Sequence, residues 1–268
     1  MASWLLPRPL RQHFYNLYAY CRMADDMADE SATAAEALSR LDDWEEELDA
    51  CHRGQARHPI MIALAETIAR FAMPIEPYKD LLSAFRQDQS KTRYETTGEL
   101  LDYCRRSANP VGRLVLCIAG RHSLDCQRYS DSICTGLQWV NFCQDVARDW
   151  DRGRIYLPQE SFRVHGCDEA CLATRRATEA FRRALRSEVD RAEIWLRDGL
   201  PLVGELPRAL AFDIWLIIQG GLAIARNIRR LEYDVWTTRP VVPRRQQMAL
   251  LARGVWARCR GRLAEPVP

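Results

Sequence analysis

The chain has 268 residues, 47% hydrophobic and 28% charged, with 38 Lys and Arg against 36 Asp and Glu for a formal charge of +2. This is globular composition, enough for one large core or two small ones, and with no polybasic block it does not suggest nucleic acid as a partner. The apolar uncharged run over residues 214–225 is too short and too Gly-rich to span a bilayer, and no secretory signal is visible, so the expected location is the cytoplasm or the periphery of the inner membrane.

Pro7 and Pro9 suit a helix start, and a long helix is predicted over about 11–30. A second, 34–50, carries Leu38, Leu41, Trp44 and Leu48 on one face; its acidic run from Asp42 to Glu47 reads as a solvated surface. His58-Pro59 opens a third helix over 60–71. Pro74 and Pro77 break it and start a fourth, reaching about 89, where Gln87, Asp88, Lys91, Arg93 and Tyr94 form a polar cluster. Residues 99–106 are helical, Asn109-Pro110 interrupts them, and 111–120 resume as an apolar segment, with Gly112 permitting close packing or close approach of a ligand.

Residues 128–150 read as the longest apolar helix of the middle of the chain, closed by Asp151-Arg152-Gly153. A short extended segment, 155–158, precedes an Arg-rich helix over 173–197. Next comes a long apolar helix over 210–236, whose Gly220-Gly221 suggests a bend or a tight crossing, and a last helix over 246–263. There is no alternating strand pattern of useful length and no repeat of 20–50 residues, so the reading is a single all-α domain. The ten cysteines include no Cys-x-x-Cys. Cys167 and Cys171 are four apart without the partners of a zinc set, and all ten are read as buried small hydrophobes in a reducing cytosol.

Two acidic patterns carry chemistry. Asn141, Asp145 and Asp149 recur every four residues, so on a helix they share a face, with the two carboxylates about 6 Å apart. Asp25 and Asp29 repeat the device near the N-terminus. An Asp pair at i,i+4 is most often a solvated surface feature. Here, however, Leu17, Tyr18, Tyr20 and Met23 precede one pair and Leu137, Trp139, Val140 and Phe142 the other. Like charges at this spacing repel, and acidic groups in an apolar stretch need a counter-charge. Divalent cations meet that need, and the doubled motif predicts two acidic walls around one metal–diphosphate site. Arg22, three residues before Asp25, either holds a diphosphate or makes an ordinary intrahelical ion pair. Asn141 is a neutral oxygen ligand or an orienting group, with Gln138 a turn earlier.

Four segments, Tyr18-x-x-x-Arg22-x-x-Asp25-Asp26-x-x-Asp29, Tyr103-Cys104-x-x-x-Ala108-x-Pro110-Val111-Gly112, Gln138-x-x-Asn141-x-x-x-Asp145-x-x-x-Asp149 and Gly153-Arg154-Ile155-Tyr156-Leu157-Pro158, resemble the squalene/phytoene synthase family, in order from about residue 5 to residue 240. The paired Asp motifs are shared by trans-prenyl synthases generally; the Gly-Arg-Ile-Tyr-Leu-Pro segment is much more specific. The stretches from Tyr103 to Gly112 and from Gln144 to Asp149 are most similar to the bacterial hydroxysqualene synthases of hopanoid pathways, the HpnC type.

The resemblance implies an isoprenoid-synthase-like helical bundle around a central cavity, a dry tunnel for two C15 tails. It implies conversion of presqualene diphosphate to hydroxysqualene with Mg2+ and water. Asp25, Asp29, Asp145 and Asp149 would then be catalytic metal ligands, with Asn141 a further ligand. Arg154 would pair with phosphate beside Arg22 and Gln138, and Tyr156 would line the cavity. Tyr233 matches a cavity Tyr, or is a half-buried interface Tyr. The expected partners are presqualene or farnesyl diphosphate, no nucleic acid, and a peripheral membrane contact for product release.

Relatives carry a further polar-aromatic diphosphate-binding stretch before the segment matching 3–7. The chain begins at Met1, short of it, which marks either a truncated sequence or a pocket more open at that corner. Sibling readings are presqualene diphosphate synthase, phytoene synthase, or squalene synthase with NADPH, for which no Gly-x-Gly-x-x-Gly follows a strand here. A non-enzyme reading, an assembly factor of respiratory complexes, fits chains that have lost the acidic motifs. Both are intact here.

Overall fold

The computed structural model describes residues 8–260 and residue 263, so Pro7 and the segment 3–7 lie outside the described residues. Among the described residues the chain is all α, without a strand. The helices are α1 (Arg8–Asp29), α2 (Ala34–His52), α3 (Pro59–Phe71), α4 (Glu76–Gln87), α5 (Thr97–Ser107), α6 (Asn109–Ile118), α7 (Leu124–Gln144), α8 (Val146–Asp151), α9 (Gln159–Val164), α10 (Glu169–Ala173), α11 (Glu179–Asp198), α12 (Leu202–Glu205), α13 (Arg208–Arg230) and α14 (Arg244–Cys259). Among the described residues the backbone packs as two compact units, one of residues 8–91 and 105–127, the other of 92–104 and 128–260.

The first unit is built from α1–α4 and α6. Tyr20 of α1 is fully buried, stacked on Trp44 of α2 at 5.8 Å and edge-on to Tyr78 of α4 at 5.1 Å, and its hydroxyl donates to the Tyr78 carbonyl at 3.2 Å. Buried polar groups are satisfied locally: Asn16 Nδ2 donates to the Ala63 carbonyl at 2.7 Å and to Thr67 Oγ1 at 3.0 Å. Thr33 caps α2 by accepting from the Glu36 amide. The acidic run of α2 proves to be ion-paired with α4, through Arg86 to Asp42 and Glu45 and through Lys79 to Glu45 and Asp49.

In the second unit α11 and α13 pack closely, with α14 on α13. The tight crossing suggested by Gly220-Gly221 is real at Gly221, where an added Cβ would lie 3.0 Å from Leu137 and from Leu196. A reciprocal approach is at Gly136 on α7, where a Cβ would lie 2.9 Å from the Leu196 backbone nitrogen.

Several expectations are corrected. The helix over 128–150 is broken at Asp145 (φ −104°, ψ 13°), the residue held by a side-chain contact described below. The helix over 173–197 starts only at Glu179, because Arg175 takes a positive φ and Thr178 caps α11 by accepting from the Phe181 amide. The helix over 210–236 stops at Arg230, where Glu232 and Tyr233 turn to φ 52° and 62° and the Tyr233 amide closes the end on the Ile228 carbonyl. Segment 155–158 is extended as expected and, among the described residues, joins no sheet beyond one parallel bridge between Arg93 and Ile155. Nor are all the cysteines buried thiols. Cys259 is exposed, and Cys167 and Cys171, whose Cα atoms lie 5.4 Å apart across the Gly166 turn and the Asp168-capped start of α10, form a disulfide. Cys51, Cys104, Cys117, Cys126 and Cys143 are buried as expected, and burial pushes the Cys104 thiol up to about 12.

Candidate active site

On α1, Leu17, Tyr20, Ala24 and Ala28 are buried, which turns Arg22, Asp25, Asp26 and Asp29 to the opposite face. Asp25 and Asp29 lie one turn apart. Partial burial, then the neighbouring Asp29, raises the Asp25 carboxyl above its ordinary range, against the pull of Arg22. Arg22 bonds Asp25 at 2.9 Å and Asp26 at 2.6 Å, so the intrahelical ion pair is the arrangement seen.

In the second unit, the spacing of Asn141, Asp145 and Asp149 survives the break in the helix. The Asp145 amide donates to the Asn141 carbonyl and the Asp149 amide to the Asp145 carbonyl, each at 2.9 Å. Asn141 is exposed and both aspartates are partly buried. Arg239, beyond the end of α13, grips Asp145 with two bonds, Nε to Oδ1 at 2.5 Å and Nη2 to Oδ2 at 2.8 Å. The preceding residue is tied to the same segment, Gln144 Nε2 donating to the Pro240 carbonyl. Asp149 lacks such a partner clamp. Burial first, and then the charge of Asp145, push its carboxyl up to about 7, although Arg152, Arg154 and Arg148 pull the other way.

The turn after α8 folds back so that the Arg154 amide donates to the Asp149 carbonyl at 2.8 Å, and Arg154 Nη1 donates to the Tyr156 hydroxyl at 3.3 Å. Tyr156 is buried in an aromatic cluster, stacked on Phe142 at 4.3 Å, with Tyr103 at 5.7 Å and Tyr94 at 5.8 Å. Asp149, Phe142, Trp150, Arg154 and Tyr156 border a cavity of about 20 Å³, room for a single water.

Among the described residues no three His, Cys, Asp or Glu side chains converge on one point. The donor set still fits Mg2+, a hard cation commonly held by one or two carboxylates together with substrate phosphate oxygens. Each pair offers hard oxygens, and the raised proton affinities of Asp25 and Asp149 mark negative charge short of compensation.

The squalene/phytoene synthase family model matches residues 1–246. The chain belongs to that family. It is 35% identical over 221 residues to the hydroxysqualene synthase of Sinorhizobium fredii, covering 81% of this chain and 74% of that protein. It is 30% identical over 264 residues to the phytoene synthase of Arthrospira platensis, covering 94% and 85%. Its fold superposes with a TM-score of 0.84 and 44% identity on the crystal structure of squalene synthase HpnC from Alicyclobacillus acidocaldarius, covering 86% of this chain and 87% of that one. The family acts on prenyl diphosphates.

Against this family background, Asn141, Asp145, Asp149, Arg154 and Tyr156 come together in the second unit, with Gln138 half-buried a turn before Asn141. Tyr233 is brought instead against α11: its buried ring lies 5.3 Å from the Arg186 guanidinium. Arg22, Asp25 and Asp29 share one face of α1 in the first unit. Three further residues of the site escaped the sequence reading as site residues. Arg239 lies 94 positions from Asp145, and no spacing rule links them. Arg93 anchors the 153–158 segment, donating to the Gly153 carbonyl at 2.6 Å and pairing with Glu169 at 2.7 Å. Tyr94 had been placed only in a polar cluster, whereas its ring stacks on Tyr156. Tyr103, by contrast, stood in one of the motifs and was legible there.

Proposed function

We propose that this family member is a Mg2+-dependent synthase of the hydroxysqualene type, converting presqualene diphosphate and water to hydroxysqualene and diphosphate. The observation that carries the proposal is the Asp145–Asp149 pair set beside the Phe142–Tyr156 aromatic stack, a charge-hungry carboxylate one side chain away from an apolar, π-rich wall. Asp145, Asp149 and the neutral oxygen of Asn141 would hold Mg2+ in the second unit, and Asp25 and Asp29 would hold it in the first. The ion supplies Lewis-acid neutralisation of the leaving diphosphate.

The chain's own residues do the rest. Arg154 adds a fixed positive charge for a phosphate oxygen and orients the Tyr156 hydroxyl. The C–O bond to diphosphate breaks with its electron pair on the leaving group. The faces of Phe142, Tyr156 and Tyr103 then offer quadrupole stabilisation to the carbocation and keep bulk water off it. The rearranged cation takes one water oxygen, and that water gives up a proton to solvent. Likeness to the Sinorhizobium enzyme and to HpnC supports this reading; the full-length likeness to a phytoene synthase favours a second, head-to-head condensation of prenyl diphosphates. The proposed setting is the cytoplasm or the inner face of the membrane.

Purified protein with Mg2+ and presqualene diphosphate should give hydroxysqualene by mass spectrometry, with NADPH changing nothing. Asp25→Asn and Asp149→Asn should each lose orders of magnitude in turnover while keeping the fold. Squalene formed only with NADPH, or phytoene formed from geranylgeranyl diphosphate, would hand the assignment to a sibling reaction.

A further inference from the structure

Helix α14 is fixed on its inner side and, among the described residues, unpartnered on its outer side. Leu250 and Gly254 are buried, and at Gly254 an added Cβ would lie 2.8 Å from Trp215 and 2.9 Å from Phe212, so the helix is seated hard against α13. At 100° per residue, Met248, Ala252, Val255, Trp256 and Cys259 fall on the opposite side. Met248 is 64% exposed, Val255 53% and Trp256 54%, an apolar face left open at two places two turns apart.

Arginines flank this apolar strip on both edges. Arg244 lies along one edge and Arg253 and Arg260 along the other, with Arg245 near the middle, whereas Arg258 turns inward over the Phe212 ring of α13 at 5.5 Å. No Asp or Glu occurs from residue 235 to residue 264. Arg260 lies over the Trp256 ring at 4.0 Å, an arrangement of aromatic body and cationic head suited to a water–lipid boundary.

An open groove of about 630 Å³ runs from this helix toward the acidic site. Arg245 and Gln246 of α14 border it at one end, and Arg230, Asn227, Pro240 and Arg239 continue it, the last being the residue that grips Asp145. The groove is therefore cationic and partly apolar, and it reaches from the exposed helix to the guanidinium that grips Asp145.

We propose that the outer face of α14 lies in the headgroup layer of an anionic phospholipid bilayer, with Met248, Val255 and Trp256 among the upper acyl chains and the arginines on lipid phosphates. Charge complementarity selects this occupant: a strip with four outward arginines and no acid of its own repels another copy of itself and attracts an anionic surface. The inference goes beyond the proposed reaction, which enters only as the reason for a path along the groove. The test uses no substrate, so either can fail without the other.

The intact protein is sedimented with vesicles of phosphatidylcholine, with and without phosphatidylglycerol. Binding is expected to the anionic vesicles only, weakening as salt is raised. Met248→Ser with Trp256→Ser, and separately Arg245→Glu with Arg253→Glu, should each lower the partition constant about tenfold or more, with circular dichroism and melting unchanged. These are surface changes of opposite chemistry, so a folding defect in one leaves the other decisive. Equal binding to neutral vesicles, no binding at all, or wild-type binding by a folded variant of either kind would overturn the proposal. So would a dimer that the Met248/Trp256 variant turns into a monomer, which would give this face to a second copy of the chain.

Discussion

Replacing Asp149 by Asn should make the metal-free protein more stable at pH 8 while abolishing turnover. The Asp149 carboxyl titrates at about 7 in the folded chain against 3.8 for the unfolded reference. Because the folded pKa is the higher one, the folded state keeps a proton that the unfolded state has already lost between about pH 4 and pH 7. Stability therefore falls as pH rises through that window, with no penalty below it and the full penalty above it. Three units correspond to a ceiling of about 4 kcal/mol at 1.36 kcal/mol per unit. Asp149 is only partly buried, so solvent screening reduces this to on the order of 1–3 kcal/mol. For a chain of this size that is roughly 2–10 °C in melting temperature. The assay is thermal melting of wild type and Asp149→Asn in EDTA at pH 4 and pH 8, repeated at pH 8 with Mg2+ and diphosphate. The variant should match wild type at pH 4, exceed it at pH 8, and lose the stabilisation that Mg2+ with diphosphate gives wild type by mass action. Equal pH dependence of the two proteins would refute the claim that Asp149 is strained in the metal-free state.

If Asp145 holds Mg2+ as proposed, Arg239 competes with the cation for the same carboxylate. Arg239→Gln should lower stability in EDTA by about 1 kcal/mol, the scale of a partly exposed bidentate pair, and tighten Mg2+ binding by about fivefold in calorimetric titration, the same energy seen from the other side. An unchanged or weaker Mg2+ affinity would show that the guanidinium supports the site rather than guarding it. Gly136→Ala should cost about 1–3 kcal/mol by urea denaturation, offset by up to about 1 kcal/mol of helix propensity, because its Cβ would meet the Leu196 backbone at 2.9 Å. A stabilised variant would mean that α7 and α11 can separate at little cost.

What the sequence determined by itself is what depends on neighbours along the chain. Apolar spacing gave the all-α class and the long helices, though not the short α9, α10 and α12, and the four-residue recurrence of Asn141, Asp145 and Asp149 defined a shared face that persists even where the helix breaks. Local caps such as Thr33 belong to the same order of information, since a cap bonds an amide a few residues away. The resemblance to the squalene/phytoene synthases was carried by short motifs of the same kind. Tertiary structure alone decided the partners. Periodicity says that Asp145 shares a face with Asn141 and Asp149, but not that Arg239 arrives to hold it. It says that Gly153 to Pro158 is an extended turn, but not that Arg93 and Glu169 pin it down. Likewise Tyr233 reads as the tail of a long helix until the left-handed turn at Glu232 sets its ring against Arg186. A guanidinium gains its bond from whichever carboxylate folding brings within 3 Å, and that distance is fixed by packing of helices far apart in the chain, which no local spacing encodes.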